Sequence, residues 1–184
     1  MKVLWFTNTL ANAANYFDKK TIGGGWMQSL NVLMEDKIDL YVAFLNPKGP
    51  ETFKHGNTTY HSIMPGNWKK RLLLRSLFNL PTQRDKDVQL YLDIIKKVQP
   101  DLIHIHGTES NYISVLDKID IPILVTMQGI TTEITRMYNR GFDKSLLKGV
   151  MRSGFTLKQF CPQTMQHGNR WLKKSAKRER KYLK

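Results

Sequence analysis

Residues 100–109 read PDLIHIHGTE. Pro100 halts any preceding helix, Asp101–His106 then forms a short β-favouring run, and Gly107 ends it among polar residues. A strand with one wet face would alternate polar and apolar residues strictly. A nearly continuous apolar run that stops at glycine instead describes a strand buried on both faces, as in a parallel sheet. Lys2–Asn8 (KVLWFTN), Asp39–Leu45 (DLYVAFL) and Ile121–Gln128 (IPILVTMQ, stopped by Gly129) repeat the pattern.

Helical periodicity fills the intervals. Trp26, Leu30, Leu33 and Met34 recur at three- and four-residue steps, and Val88, Tyr91, Leu92, Ile95 and Val98 form an apolar face over Asp87–Val98. Asn111–Ile119 reads as a short helix, and a basic helix from about Gly168 closes the chain. Residues 51–64 read as a hairpin turning at Gly56-Asn57. Strands alternating with helices predict an α/β fold: a doubly wound, mainly parallel, Rossmann-like sheet in a single domain over 1–184. Ligands of such sheets bind beyond the carboxyl ends of the strands. That edge gathers Thr7–Asn8, Gly23–Gly25, His106–Glu109 and Gln128–Thr132 around one crevice.

The chain has 184 residues, 41% of them hydrophobic, and a net charge of +14. Residues 148–184 carry eleven Lys/Arg and one acid, Glu179, so the excess is concentrated at one end. A cationic end of this kind attracts nucleic acid, anionic lipid or a phosphorylated ligand, and charge alone does not choose. No apolar run approaches the ~20 residues needed to span a bilayer. Only four apolar residues follow Lys2 before Thr7, too few for a secretory signal, and the lone Cys161 excludes an internal disulfide framework; both point to a reducing cytosol. No helix-turn-helix or RNA-recognition pattern and no Gly-x-Ser-x-Gly elbow occurs, which disfavours nucleic acid as a partner and a serine hydrolase as the activity.

Gly23-Gly24-Gly25 precedes a helix, where free N–H groups and absent Cβ atoms would let a diphosphate approach; the same glycines would also serve as a plain flexible turn. Neither a P-loop nor the dinucleotide fingerprint is present. His104 and His106 share one face of their strand, but no third ligand stands at a zinc spacing, so no metal is expected. His104 reads as a core histidine, whereas His106 at the strand end is placed to meet a substrate hydroxyl or phosphate. Gln128 can hydrogen-bond a sugar but cannot transfer a proton. Glu133, five residues beyond Gln128, is a candidate base, though a helix-start acid favoured by the macrodipole is the commoner reading. Trp68–Leu80 sets Lys69, Lys70, Arg71 and Arg75 beside an apolar face ending at Trp68, a composition suited to a membrane interface or to a surface helix packed on the sheet. Lys173–Lys184 reads by default as a solvated helix face, with contact to lipid or to an adjoining domain as the alternative.

Taken together, KVLWFTN with the later GGGWMQSL, PDLIHIHGTE and IPILVTMQG resemble, in order and spacing, the N-terminal half of a bacterial glycosyltransferase of family four with the GT-B architecture. The resemblance implies an acceptor-side domain whose partner lobe, beginning about where this chain stops, holds the nucleotide-sugar. It implies retaining transfer of a sugar from a nucleotide-diphosphate donor to a glycan or lipid-linked acceptor, in surface-polysaccharide synthesis on the cytoplasmic face of the membrane, without a cofactor. Gly23, Gly24 and Gly25 would then approach the donor diphosphate, His106 and Gln128 the reacting sugar, and Asn8, Thr108, Glu109 and Gly129 the acceptor. Gln128 stands where members of the family commonly have a histidine. The alternatives from other classes are a basic nucleic-acid-binding module and a small stand-alone α/β enzyme.

Overall fold

The computed structural model describes residues 1–17, 25–46, 49–67, 69–71, 73, 85–138, 140, 141, 143, 145 and 165–183, with backbone alone at 15, 85 and 165–170. Gly23, Gly24, Trp68, Arg75 and Cys161, with most of the 68–80 helix, lie outside the described residues.

Six strands form one sheet: β1 (Lys2–Thr7), β2 (Asp39–Leu45), β3 (Glu51–His55), β4 (Thr58–Ile63), β5 (Leu102–His106) and β6 (Ile123–Thr126), in the order β3-β4-β2-β1-β5-β6. All neighbours run parallel except the β3–β4 hairpin, which turns at Gly56-Asn57 as expected. Among the described residues, helices include α1 (Ala13–Tyr16), α2 (Gly25–Met34), α3 (Val88–Val98), α4 (Thr131–Met137) and α5 (Met165–Tyr182). Each sheet face has its own core. Trp5, Val42 and Phe44 pack with Ala13 and Met27 on one, while Phe6, Ile103 and Ile105 pack with Tyr91, Ile95 and Tyr112 on the other. With helices against both faces, the fold is α/β and Rossmann-like.

Several local expectations shift. α2 does not bury the face through Trp26 and Leu33, which are exposed; it buries Met27 and Asn31. The rotation follows a polar ladder. The Asn31 amide donates to Thr58 Oγ1 at 2.7 Å and accepts from the Tyr60 hydroxyl at 2.7 Å and from the Asn12 N–H at 3.4 Å. The segment after β5 is a 3₁₀ turn, Asn111–Val115, in place of the longer helix expected. β6 spans only Ile123–Thr126, because Pro122 has no N–H to donate and enters the ladder only through its carbonyl, 3.0 Å from the Ile103 N–H. α3 agrees with its apolar pattern, Tyr91, Ile95 and Val98 being buried.

α5 is not a purely solvated face. Leu172, Ser175, Ala176 and Glu179 are buried at helical spacing, with Lys173, Lys174, Lys177 and Arg180 turned to water.

Candidate functional site: the strand-end crevice

β1 has β2 on one side and β5 on the other: the chain runs outward from β1 through β2 to β4, then crosses back past β1 to reach β5. This is the switch point at which a parallel sheet opens a crevice beyond its strand ends. A cavity of about 370 Å³ lies there, lined by Asn8 after β1, Leu45 at the end of β2, Glu109, Ser110 and Tyr112 after β5, and Trp171 of α5. Of the expected acceptor contacts, Asn8 and Glu109 are in its wall.

The polar side of the wall is organised by local geometry. Ser110 donates its hydroxyl hydrogen to Asn8 Oδ1, which fixes the amide so that Nδ2 faces Glu109 Oε2 at 3.4 Å. Gly107 makes room for this pair. Its φ is +95°, and a Cβ there would lie 2.1 Å from Glu109 Oε2 and 3.4 Å from Asn8 Nδ2. Beneath, the Tyr112 hydroxyl donates to the Thr7 carbonyl at 3.1 Å, tying the 3₁₀ turn to the end of β1.

α5 clamps the same loop from outside. The Glu109 carbonyl accepts from Ser175 Oγ at 2.8 Å and Arg178 Nη2 at 2.6 Å. Glu179, 4% exposed, accepts from Thr108 Oγ1 at 2.8 Å and from the Thr131 and Thr132 N–H groups, each at 2.9 Å. Burial alone would raise its pKa. The hydrogen bonds from Thr132, Thr108 and Thr131, at the N-terminus of α4, outweigh that and hold it at about 2. Thr108 is thereby corrected: its buried hydroxyl is engaged by Glu179 and by Thr131 at 3.0 Å, and it does not reach the cavity.

His106 ends β5 as expected, but it is only 3% exposed, its ring enclosed by His104 (3.7 Å between centroids), Trp5 (4.8 Å) and Trp26 (5.8 Å). Neither ring nitrogen has a hydrogen-bond partner among the described residues. Burial, with His104 adding to it, lowers its pKa to about 3, so the imidazole is neutral near pH 7 and is no proton donor there. His104 is satisfied, its Nε2 2.6 Å from Thr126 Oγ1, but it is half-buried and not a core residue as expected. The Trp26–His106 contact brings the first turn of α2 over the end of β5. A Cβ at Gly25 would meet no atom of the described residues within 4 Å, so packing among them does not demand that glycine. Gln128 is exposed beyond β6 and does not line the cavity. Gly129 accommodates α4: a Cβ there would lie 2.8 Å from Ile134 Cδ1.

The basic set expected at a membrane interface or on a surface helix needs one correction. Lys69 and Lys70 are exposed, but Arg71 is 4% exposed and makes a two-pronged ion pair with Asp87 at 2.6 and 2.8 Å. It faces inward because its carboxylate partner is buried with it.

The residues that sequence reasoning passed over are Ser110, Tyr112, Trp171, Ser175, Arg178 and Glu179. Only the Leu172–Glu179 stripe carried a readable signal, an apolar and small-residue spacing of three and four. Among the described residues no group of three His, Cys, Asp or Glu could hold a metal ion, and no helix is long and apolar enough to cross a membrane. No family model, curated protein or solved structure matches the chain.

Proposed function

We propose that this chain is the acceptor-side lobe of a retaining glycosyltransferase, of GT-B architecture, that moves a sugar from a nucleotide-diphosphate donor to a glycan or lipid-linked acceptor. The observation that carries the reading is the cavity at the β1/β5 switch point, with a carboxylate, an amide and an indole in its wall. Hydroxyl-rich ligands are held by such walls: oxygens orient the hydroxyls and an aromatic covers the carbon face. The ordered set of sequence segments adds the reaction.

In that reaction the cost is separating an oxocarbenium-like sugar from a diphosphate. N–H groups of the first turn of α2, beside Gly25, are aimed at the leaving group and lower the barrier by fixed dipoles. Glu109 and Asn8 hold the acceptor. Gln128 binds a hydroxyl, and the neutral His106 contributes at most a hydrogen bond. Lys69, Lys70 and the outer face of α5 draw the lobe to an anionic membrane surface.

The test uses the protein made from the whole reading frame, a panel of labelled nucleotide-diphosphate sugars, and oligosaccharide or polyprenyl-linked acceptors. Transfer with retained anomeric configuration is expected, together with acceptor binding but no turnover by the 184-residue chain. No donor consumed and no glycan bound, with nucleic acid retarded in a mobility-shift assay, would replace this reading by the nucleic-acid one. Anionic vesicles at low and high salt test the surface: binding that is insensitive to salt and to Lys69→Ala/Lys70→Ala removes the membrane claim.

A further inference from the structure

We infer that the switch-point cavity is a subsite for one neutral pyranose ring of the acceptor, with Trp171 as the platform and Glu109 and Asn8 as the hydroxyl readers. The inference rests on the acceptor-side reading above and gives it a substrate class.

Three features of the wall lead to it. The first is its two-sided chemistry: Trp171, 39% exposed, with Leu45 and Tyr112, makes an apolar side, and Asn8, Glu109 and Ser110 make a polar one. A pyranose has the matching form, with C–H bonds on one face and hydroxyls around its rim. The volume, about 370 Å³, lies near the lower end of the ~300–1,000 Å³ of small-molecule sites, which suits one sugar ring better than a nucleotide.

The second is unused acceptor capacity. The half-buried Glu109 carboxylate has one side-chain hydrogen bond among the described residues, the long one from Asn8 at 3.4 Å. An ionised carboxylate accepts at about four lone-pair positions, so two neighbouring hydroxyls can donate to it at once. Asn8 Oδ1 is already taken by Ser110, which leaves Nδ2 as the donor for a ring or hydroxyl oxygen. The same carboxylate repels a uronate or a phosphosugar, which sets the class as neutral.

The third is rigidity. Ser175 and Arg178 hold the Glu109 backbone from the helix that carries Trp171, so platform and reader are fixed relative to one another.

The experiment labels the four tryptophans of the folded chain with 5-fluorotryptophan and follows ¹⁹F resonances. The Trp171 signal is assigned by its loss in Trp171→Phe. The probes are the methyl glycosides of glucose, galactose and mannose, and methyl glucuronide. At least one neutral glycoside should shift the Trp171 signal saturably, and the glucuronide should not. Trp171→Ala should weaken that binding by about fivefold to tenfold, read by saturation-transfer NMR. Glu109→Gln should weaken it and abolish the discrimination against the glucuronide, a change that a merely structural role would not produce. Matching circular-dichroism melts separate these effects from unfolding.

An unmoved Trp171 signal with every glycoside, or a glucuronide that binds as well as the neutral sugars, overturns the inference. If transfer by the whole protein is found with Trp171 unmoved, the subsite falls and the proposed function stands. If neither glycoside binding nor transfer is found, both fall.

Discussion

Replacing Glu179 with glutamine removes one charge and keeps the shape, at the point where α5 meets the loops after β5 and β6. The native carboxylate receives one hydroxyl and two backbone N–H groups, at 2.8, 2.9 and 2.9 Å. A carboxyl held at about 2 instead of the usual 4.5 stabilises the folded chain by about 3 kcal/mol when fully ionised. The folded pKa is the lowered one, so this contribution is complete above about pH 4.5 and disappears as pH falls towards 2. Glutamine keeps one acceptor oxygen and turns an amide N–H₂ towards donors, so a loss of about 2–3 kcal/mol near neutrality is expected. Urea denaturation of both proteins at a series of pH values is the assay, the difference between them isolating this one group. The gap should be widest above about pH 5 and nearly close by about pH 2.5. An equal gap at both ends would mean that shape, not charge, holds α5 in place. No gap at any pH would refute the clamp altogether.

Other perturbations have equally definite outcomes. Gly107→Ala imposes a Cβ at φ +95° and displaces the Glu109 carboxylate; a loss of about 1–2 kcal/mol in urea melts and a larger proportional loss of glycoside binding are expected. Asn31→Ala leaves the Tyr60 hydroxyl buried without its 2.7 Å acceptor and should cost about 2–3 kcal/mol in thermal unfolding. Arg71→Met, which takes the guanidinium away from the buried Asp87, should cost about 3–5 kcal/mol, and Arg71→Met/Asp87→Leu should recover most of it, with no change in vesicle binding. His106→Leu should keep or raise stability at neutral pH. Since the lowered pKa of about 3 makes the native chain lose stability as pH falls from about 6.5, the variant should also flatten that part of the acid profile.

The strands were legible because burial on both sheet faces leaves a continuous apolar run, as in Val3–Phe6 and Leu40–Leu45. Hydrophobic spacing misjudged α2 because the decisive buried residue is Asn31, whose partners Thr58 and Tyr60 are far along the chain. Arg71 looked interfacial for the same reason: its charge is neutralised by Asp87, which no local pattern links to it. Glu179 counted only as the lone acid of a cationic end, although its partners Thr108 and Thr131 lie 71 and 48 residues away. At the crevice, Asn8 and Glu109 followed from the rule that ligands gather beyond strand ends. Trp171 did not, since α5 reaches the crevice only through tertiary packing.

The most direct test is amide hydrogen exchange of the chain with and without a neutral oligosaccharide acceptor. Slowed exchange at residues 8–9 and 107–110 and in the turn of α5 around Trp171 is the result expected of a switch-point acceptor site. Protection confined to the lysine-bearing outer face of α5, or no protection by any glycan, would contradict it.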